Sequence, residues 1–186
     1  SGKFNVLCKE LGTNRDFRVL LQVDLSSPET NNRVKKMEDA ELVLRFFTLI
    51  NDNYLNYKKT KEKGFTDFLS ETMKKNLSIS DENLEKLRSE FEITMRTISR
   101  DFGSSAFAKY KYENDDYKLQ SKFNVAVFDA LATSCHDLIF SENINDFKDK
   151  KMEFRSLFQN SEFYESVSGS YLDTAKLRYR IEQSKA

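Results

Sequence analysis

Met37-Glu38-Asp39-Ala40-Glu41-Leu42-Val43-Leu44-Arg45-Phe46-Phe47 is the stretch whose reading decides the fold. Seven of the nine residues from Leu42 to Ile50 are aliphatic or aromatic, and they fall on every side of a helix. A surface helix carries one apolar stripe, so apolar residues all round place this helix inside a larger assembly of helices. Arg45 stands within the run, with Glu41 four residues before it. Glu ahead of Arg at that spacing is the favoured direction for a helical ion pair, worth roughly 0.2–0.5 kcal/mol when exposed. A buried arginine depends on its partner far more, because an unpaired interior charge is strongly destabilising. The expectation is a core helix from about Glu38 to Tyr54 that holds one paired charge.

Towards the N-terminus, Phe4, Leu7 and Leu11 recur at helical spacing until Gly12, which is placed as a helix C-cap. Phe17, Leu20 and Leu21 predict a second short helix, and Ser26-Ser27-Pro28 with Asn31-Asn32 marks a loop. Towards the C-terminus, a polar lysine-rich connection spans residues 56–63, and a helix follows Gly64 with Phe65, Phe68, Leu69 and Met73 on one side. Ser80 is a good N-cap, with Asp81 and Glu82 favourably set against the helix dipole. Leu84, Leu87, Phe91, Met95, Ile98 and Phe102 then repeat at three and four residues up to Gly103, the pattern of an amphipathic helix. Residues 110–119 alternate aromatic and polar side chains around Glu113-Asn114-Asp115-Asp116, which reads as a short hairpin or an irregular loop. A second strongly apolar helix is expected over 121–139, with Phe123, Val127, Ala130, Leu131, Cys135 and Leu138 sharing a face. Shorter helices are expected over 145–158 and 162–167, then a turn at Ser168-Gly169-Ser170 and a basic terminal helix from Thr174 to Gln183.

The chain has 186 residues, enough for one domain or one domain with a small appendage. Its 30 basic and 30 acidic residues cancel, so no global field draws it to nucleic acid or a membrane. One proline and five glycines favour helices over a multi-turn β-sandwich, and sixteen phenylalanines without tryptophan predict a core built on phenylalanine. No stretch approaches the roughly 20 apolar residues of a membrane span. Cys8 and Cys135 lack metal-site or CxxC spacing and read as reduced thiols of a cytoplasmic protein.

Chemistry is sparse. His136 is the one histidine, and Cys135 beside it points about 100° away on a helix, so adjacency argues against a dyad. Zinc-ligand spacing and glycine-rich phosphate loops are both missing from the sequence. Asp129 lies between Phe128 and Ala130-Leu131 in an apolar helix. Buried charges are normally paired, so Asp129 is expected to bond a basic group or backbone donor on a neighbouring helix, or else to mark a functional site. Two basic patches stand out: Lys58, Lys59, Lys61 and Lys63 with Tyr54 and Tyr57 nearby, and Arg178 and Arg180 around Tyr179. Such lysines and arginines give salt-dependent, sequence-blind phosphate affinity, and tyrosines can stack on bases. The plainer alternative is a solvated loop and a terminal helix whose basic end complements its dipole.

Several segments in order resemble one family. Phe4-Asn5 with Leu7 and Leu11 resembles its G-x-F-N-x-L opening helix, and Met37 to Phe47 its R-M-x-D-x-E-L-V-L-R-F signature. Phe68-Leu69 resembles its F-L-N segment, Ala106-Phe107 its A-F after a helix-ending glycine, and Phe123 to Leu131 its F-N-x-A-x-F-D-A-L helix. Arg178 with Arg180-Ile181-Glu182 resembles its closing K-x-R-I-E. The family is the domain of unknown function numbered 262, related to the S component of Gmr-type modification-dependent restriction systems. Lys36 stands where the signature has arginine, and Ser70 where it has asparagine. Complete members begin with a ParB/sulfiredoxin-like domain bearing an Asp-Gly-Gln-Gln-Arg type of motif, which this sequence lacks. The resemblance therefore implies the C-terminal helical half of a longer protein, with no family catalytic residue carried over.

The combined expectation is an all-α, compact, irregular multi-helix bundle over residues 1–186, with one short hairpin near 109–120. The resemblance implies a non-catalytic module of a bacterial phage-defence protein, partnered by an upstream ParB-like domain and by DNA. NTP and a divalent metal would belong to that upstream domain, and this chain would hold no cofactor. Glu41, Arg45 and Asp129 would fix helix packing or the face towards the upstream domain. The alternatives are a free-standing helical interaction module and an autonomous DNA binder acting through the lysine loop.

Overall fold

A computed structural model describes residues 2–186. Among them are ten α-helices: α1 (Lys3–Leu11), α2 (Arg15–Leu20), α3 (Asn32–Lys35), α4 (Glu38–Leu49), α5 (Phe65–Lys75), α6 (Asp81–Phe102), α7 (Val125–Glu142), α8 (Lys150–Ser156), α9 (Ser161–Ser166) and α10 (Thr174–Lys185). The antiparallel strands β1 (Lys109–Glu113) and β2 (Asp116–Ser121) form the expected hairpin between α6 and α7. Its turn residues Asn114 and Asp115 both have positive φ (53° and 57°), the conformation a two-residue hairpin turn of this kind demands. The architecture is an all-α bundle with a single small ribbon. No helix among the described residues is long and apolar enough to cross a membrane.

The central helices are α4, α6 and α7. Helix α7 is buried on nearly every side, from Ala126 to Asp137 without interruption. It starts four residues later than the sequence pattern suggests, because the Asn124 side chain accepts the Val127 N–H at 3.0 Å and caps it there. Phe123 thus precedes the helix and packs edge-on to Phe107. Helices α1, α2 and α10 lie against this centre: α1 on α4 and α6, α2 on α6, and α10 along α7. Gly12, which ends α1, is right-handed (φ −57°). A Cβ there would come within 3.3 Å of the Ala40 nitrogen and of Asp39, so its value is the close approach of α1 to the start of α4.

The main core is phenylalanine-built, as composition predicts. Phe91 on α6 meets Phe17 at 5.3 Å and Phe46 at 5.2 Å between ring centroids, both edge-to-face, the geometry favoured by ring quadrupoles. A second cluster joins Leu49, Tyr54, Tyr57, Phe65, Phe68 and Leu69 to Leu177 and Ile181 of α10. A third lies under the hairpin, around Val127, Phe158 and Phe163, with Tyr110 and Tyr117 packed over it.

Helix α4 ends at Leu49, five residues before the expected Tyr54. Ile50 is extended, and Asn51 and Asp52 are left-handed, with φ of 57° and 59°. The cause is tertiary: the Asp137 carboxylate of α7 accepts the Asn51 N–H at 2.7 Å and the Asp52 N–H at 3.3 Å. Likewise α8 begins at Lys150 and not near 145, because the chain around Phe147 is held by its N–H donating to Asp101 at 2.9 Å.

Candidate functional site

Two buried polar assemblies and one basic surface emerge from this packing. The first assembly joins α4, α7 and α10. Arg45 donates from Nε to Asp129 Oδ1 at 3.1 Å and from a terminal nitrogen to Oδ2, a bidentate pair. Arg180 donates to the same Oδ2 at 3.3 Å and to the carbonyls of Ser166 and Tyr171 at 2.9 and 2.5 Å. Arg45, Asp129 and Arg180 are 5, 1 and 0 % exposed, so the node carries two cations and one anion in the interior. The excess charge is offset by those two carbonyls and by the face of Phe65, whose centroid lies 4.3 Å from the Arg45 guanidinium carbon. Burial pushes the Arg180 guanidinium down to about 10, aided by the neighbouring Arg45 and opposed by Asp129, so it stays cationic at neutral pH.

The node settles several sequence expectations. Asp129 does bond basic groups on neighbouring helices. The partner of Arg45, however, is Asp129 and not Glu41, which lies exposed on the outer side of α4. Local spacing offered a pair worth tenths of a kilocalorie, whereas burial demanded a bidentate partner. Arg180 is no nucleic-acid contact, because it is fully buried and bonded within the core.

The second assembly centres on His136, fully buried between Phe46 and Phe140. Its Nδ1 lies 2.8 Å from Asp137 Oδ1 and its Nε2 2.9 Å from Glu90 Oε2 on α6. Asp137 also accepts from Lys185 Nζ at 2.9 Å, and Lys185 reaches Asp52 at 2.9 Å. Burial opposes the imidazolium, but the hydrogen bonds to Asp137 and Glu90 outweigh it and raise the His136 pKa above its ordinary value. Burial likewise opposes the Asp137 carboxylate, and the bonds from His136, Lys185 and the Asn51 amide overcome it and hold its pKa low. As an imidazolium, His136 donates from both nitrogens. No spacing rule signals this array, since Glu90 sits 46 residues from its partner. Cys135 takes no part: burial drives its thiol well above the ordinary range, so it is an inert core residue. Cys8 is pushed up to about 12 for the same reason, and both thiols are free.

The basic surface is smaller than the sequence suggests, yet its two patches lie together. The lysine loop is fastened to α10: the Lys59 N–H donates to Thr174 Oγ1 at 2.9 Å, and the Tyr57 hydroxyl to the Leu172 carbonyl at 2.8 Å. Lys58, Lys59, Lys61 and Lys63 are exposed. Arg178 is half-buried and donates to the Leu55 carbonyl at 2.5 Å. Tyr54 and Tyr57 are 3 and 2 % exposed, so they pack in the second core cluster and cannot stack on bases. Among the described residues no group of three or more His, Cys, Asp or Glu is placed to hold a metal ion.

An apolar cleft of about 250 Å³ opens between Phe102, Leu138, Phe147, Phe154 and the end of α10. Lys150 and Glu153, both among its lining residues, pair with each other at 2.8 Å. A more open polar cleft of about 520 Å³ lies on α6 with Glu90 among its lining residues. Comparison of the chain with protein-family models, curated proteins and solved structures gives no match in any of the three.

Proposed function

We propose that the chain is the helical accessory half of a ParB-like, NTP-dependent restriction-type defence protein of the bacterial cytoplasm. In this reading it supports an upstream catalytic domain and turns a basic face to DNA. The observation that carries it is a convergence. The segments Met37 to Phe47, Phe123 to Leu131 and Arg180-Ile181-Glu182, each of which resembles the restriction-system family, meet at the Arg45–Asp129–Arg180 node although 84 and 51 residues separate its members. A resemblance concentrated on residues that hold one interior together favours shared architecture over chance likeness between surface helices. The chain's interior charges are taken up by packing, which leaves the chemistry, with its NTP and divalent metal, to the upstream domain. The lysine loop and the start of α10 supply the DNA face, where lysines act as sequence-blind phosphate contacts.

The test is an assay of phosphate release from NTP and magnesium by the isolated chain. The reading predicts none above background. Steady release that persists through further purification would place catalysis in this chain and overturn it.

A further inference from the structure

The polar cleft on α6 has the makings of a ligand site that the accessory reading does not use. Its volume of about 520 Å³ falls within the roughly 300–1,000 Å³ of small-molecule pockets. Glu90 is 9 % exposed, and its Oε2 is committed to His136, while Oε1 has no partner among the described residues and borders the cleft. That oxygen is reached from the cleft and is free to accept a hydrogen bond from a ligand there. Lys75 and Lys86 stand exposed on the walls, and neither forms an ion pair among the described residues. The side-chain amides of Asn51 and Asn83 also line the cleft without partners of their own.

The Glu90–His136–Asp137 array fixes two of the cleft's lining residues, Glu90 and Asn51. His136 holds Glu90, and Asp137, bonded to the same ring, holds the left-handed Asn51-Asp52 turn by its two amides. Residues kept in unusual backbone conformations by surrounding bonds cluster at ligand sites, and a site held rigid before binding loses less freedom on binding. The charged residues lining the cleft are two lysines against one carboxylate, Glu90. That balance favours an anion at the lysines, together with hydrogen-bond donors at Glu90.

We propose that this cleft binds a small phosphate monoester whose organic part donates hydrogen bonds to Glu90, namely a sugar phosphate or a nucleoside monophosphate. Lys75 and Lys86 take the phosphate, and Asn51 and Asn83 orient the rest. The inference is independent of the upstream domain and of the DNA face.

Titration calorimetry on the whole chain with inorganic phosphate, ribose 5-phosphate and guanosine 5′-monophosphate tests it. The esters are expected to bind saturably at one site and more tightly than phosphate alone. Lys86→Glu, on an exposed position, should weaken all three by about tenfold or more, the effect of replacing an attractive charge with a repulsive one. Glu90→Gln should remove the preference of the esters over phosphate. If that variant fails to fold for want of the His136 partner, Asn83→Ala reads the same preference from the surface. Guanosine monophosphate binding tighter than ribose 5-phosphate would identify a nucleoside, and equal affinity a sugar phosphate. Absence of saturable ester binding stronger than about 1 mM, or binding that Lys86→Glu leaves unchanged, would overturn the proposal.

Discussion

Arg45 and Asp129 stand 84 residues apart in the chain and meet in the core through two parallel hydrogen bonds, one on each carboxylate oxygen. Arg180 closes on the same carboxylate from the terminal helix. One anion therefore holds three helices, and removing it would leave two buried guanidinium groups facing each other.

Asp129→Asn should accordingly cost about 3–5 kcal/mol, the usual result of breaking a buried pair by removing one partner. Glu41→Ala, on the exposed side of α4, should stay within about 0.5 kcal/mol of the parent. Urea denaturation of the two variants checks the contrast. Equal losses would return Glu41 to the role of Arg45 partner that local spacing suggests.

The His136 array predicts a pH dependence of stability. The His136 pKa is raised on folding, so its contribution is fully present below the unfolded value near 6.5 and is lost as pH rises through the folded value. The Asp137 pKa is lowered, so its contribution is present above the unfolded value of 3.8 and disappears as pH falls through the folded one. Together they place the largest joint contribution between roughly pH 4 and 6.5. Denaturation midpoints should decline above that window in the parent chain. They should decline less in His136→Gln, which keeps a hydrogen-bonding side chain without the titration. Parallel profiles for the two would exclude a charged His136.

Along α6 the cost of truncation should rise from the N-terminal to the C-terminal half. Ser80 caps the helix by accepting the Asn83 N–H at 3.2 Å, so Ser80→Ala should cost about 1 kcal/mol. Sequence periodicity alone treats Leu87 and Phe91 as equivalent core positions. Leu87 is only half-buried whereas Phe91 is fully enclosed by Phe17, Phe46 and Phe47. Phe91→Ala should therefore cost about 3–5 kcal/mol and Leu87→Ala distinctly less, as chemical denaturation would show.

The DNA face predicts duplex affinity that depends steeply on salt. Contact of four lysines with phosphates gives a slope of about −3.6 in log affinity against log salt. Replacing Lys58, Lys59, Lys61 and Lys63 with alanine should flatten it, as read by fluorescence anisotropy. Absence of binding at low salt would remove DNA from the account and leave the supporting role.

Much of the fold lies on the surface of the sequence. The helical spacing in α1, α5 and α6, the apolar girth of α4 and α7, the Ser80 cap and the 109–121 hairpin all follow from local periodicity and turn chemistry. That Asp129 is buried and paired follows from its apolar neighbours. What local pattern does not reveal is the choice of partner. Arg180 looks like one more charge on a basic helix until the bundle closes over it, and Tyr54 and Tyr57 look like stacking residues until α10 covers them. The early end of α4 and the Glu90–His136–Asp137 array share one cause, a carboxylate on α7 reaching backbone and side chains brought close by folding. Such bonds have no sequence spacing to betray them.

The central claim is that this helical chain works alongside an upstream ParB-like domain, and the coding sequence ahead of Ser1, read over about 200 codons, tests it most directly. The account predicts a ParB-like stretch there carrying Asp-Gly-Gln-Gln-Arg or a close variant. A start codon immediately before Ser1, with no such domain, would contradict it and leave a free-standing helical interaction module.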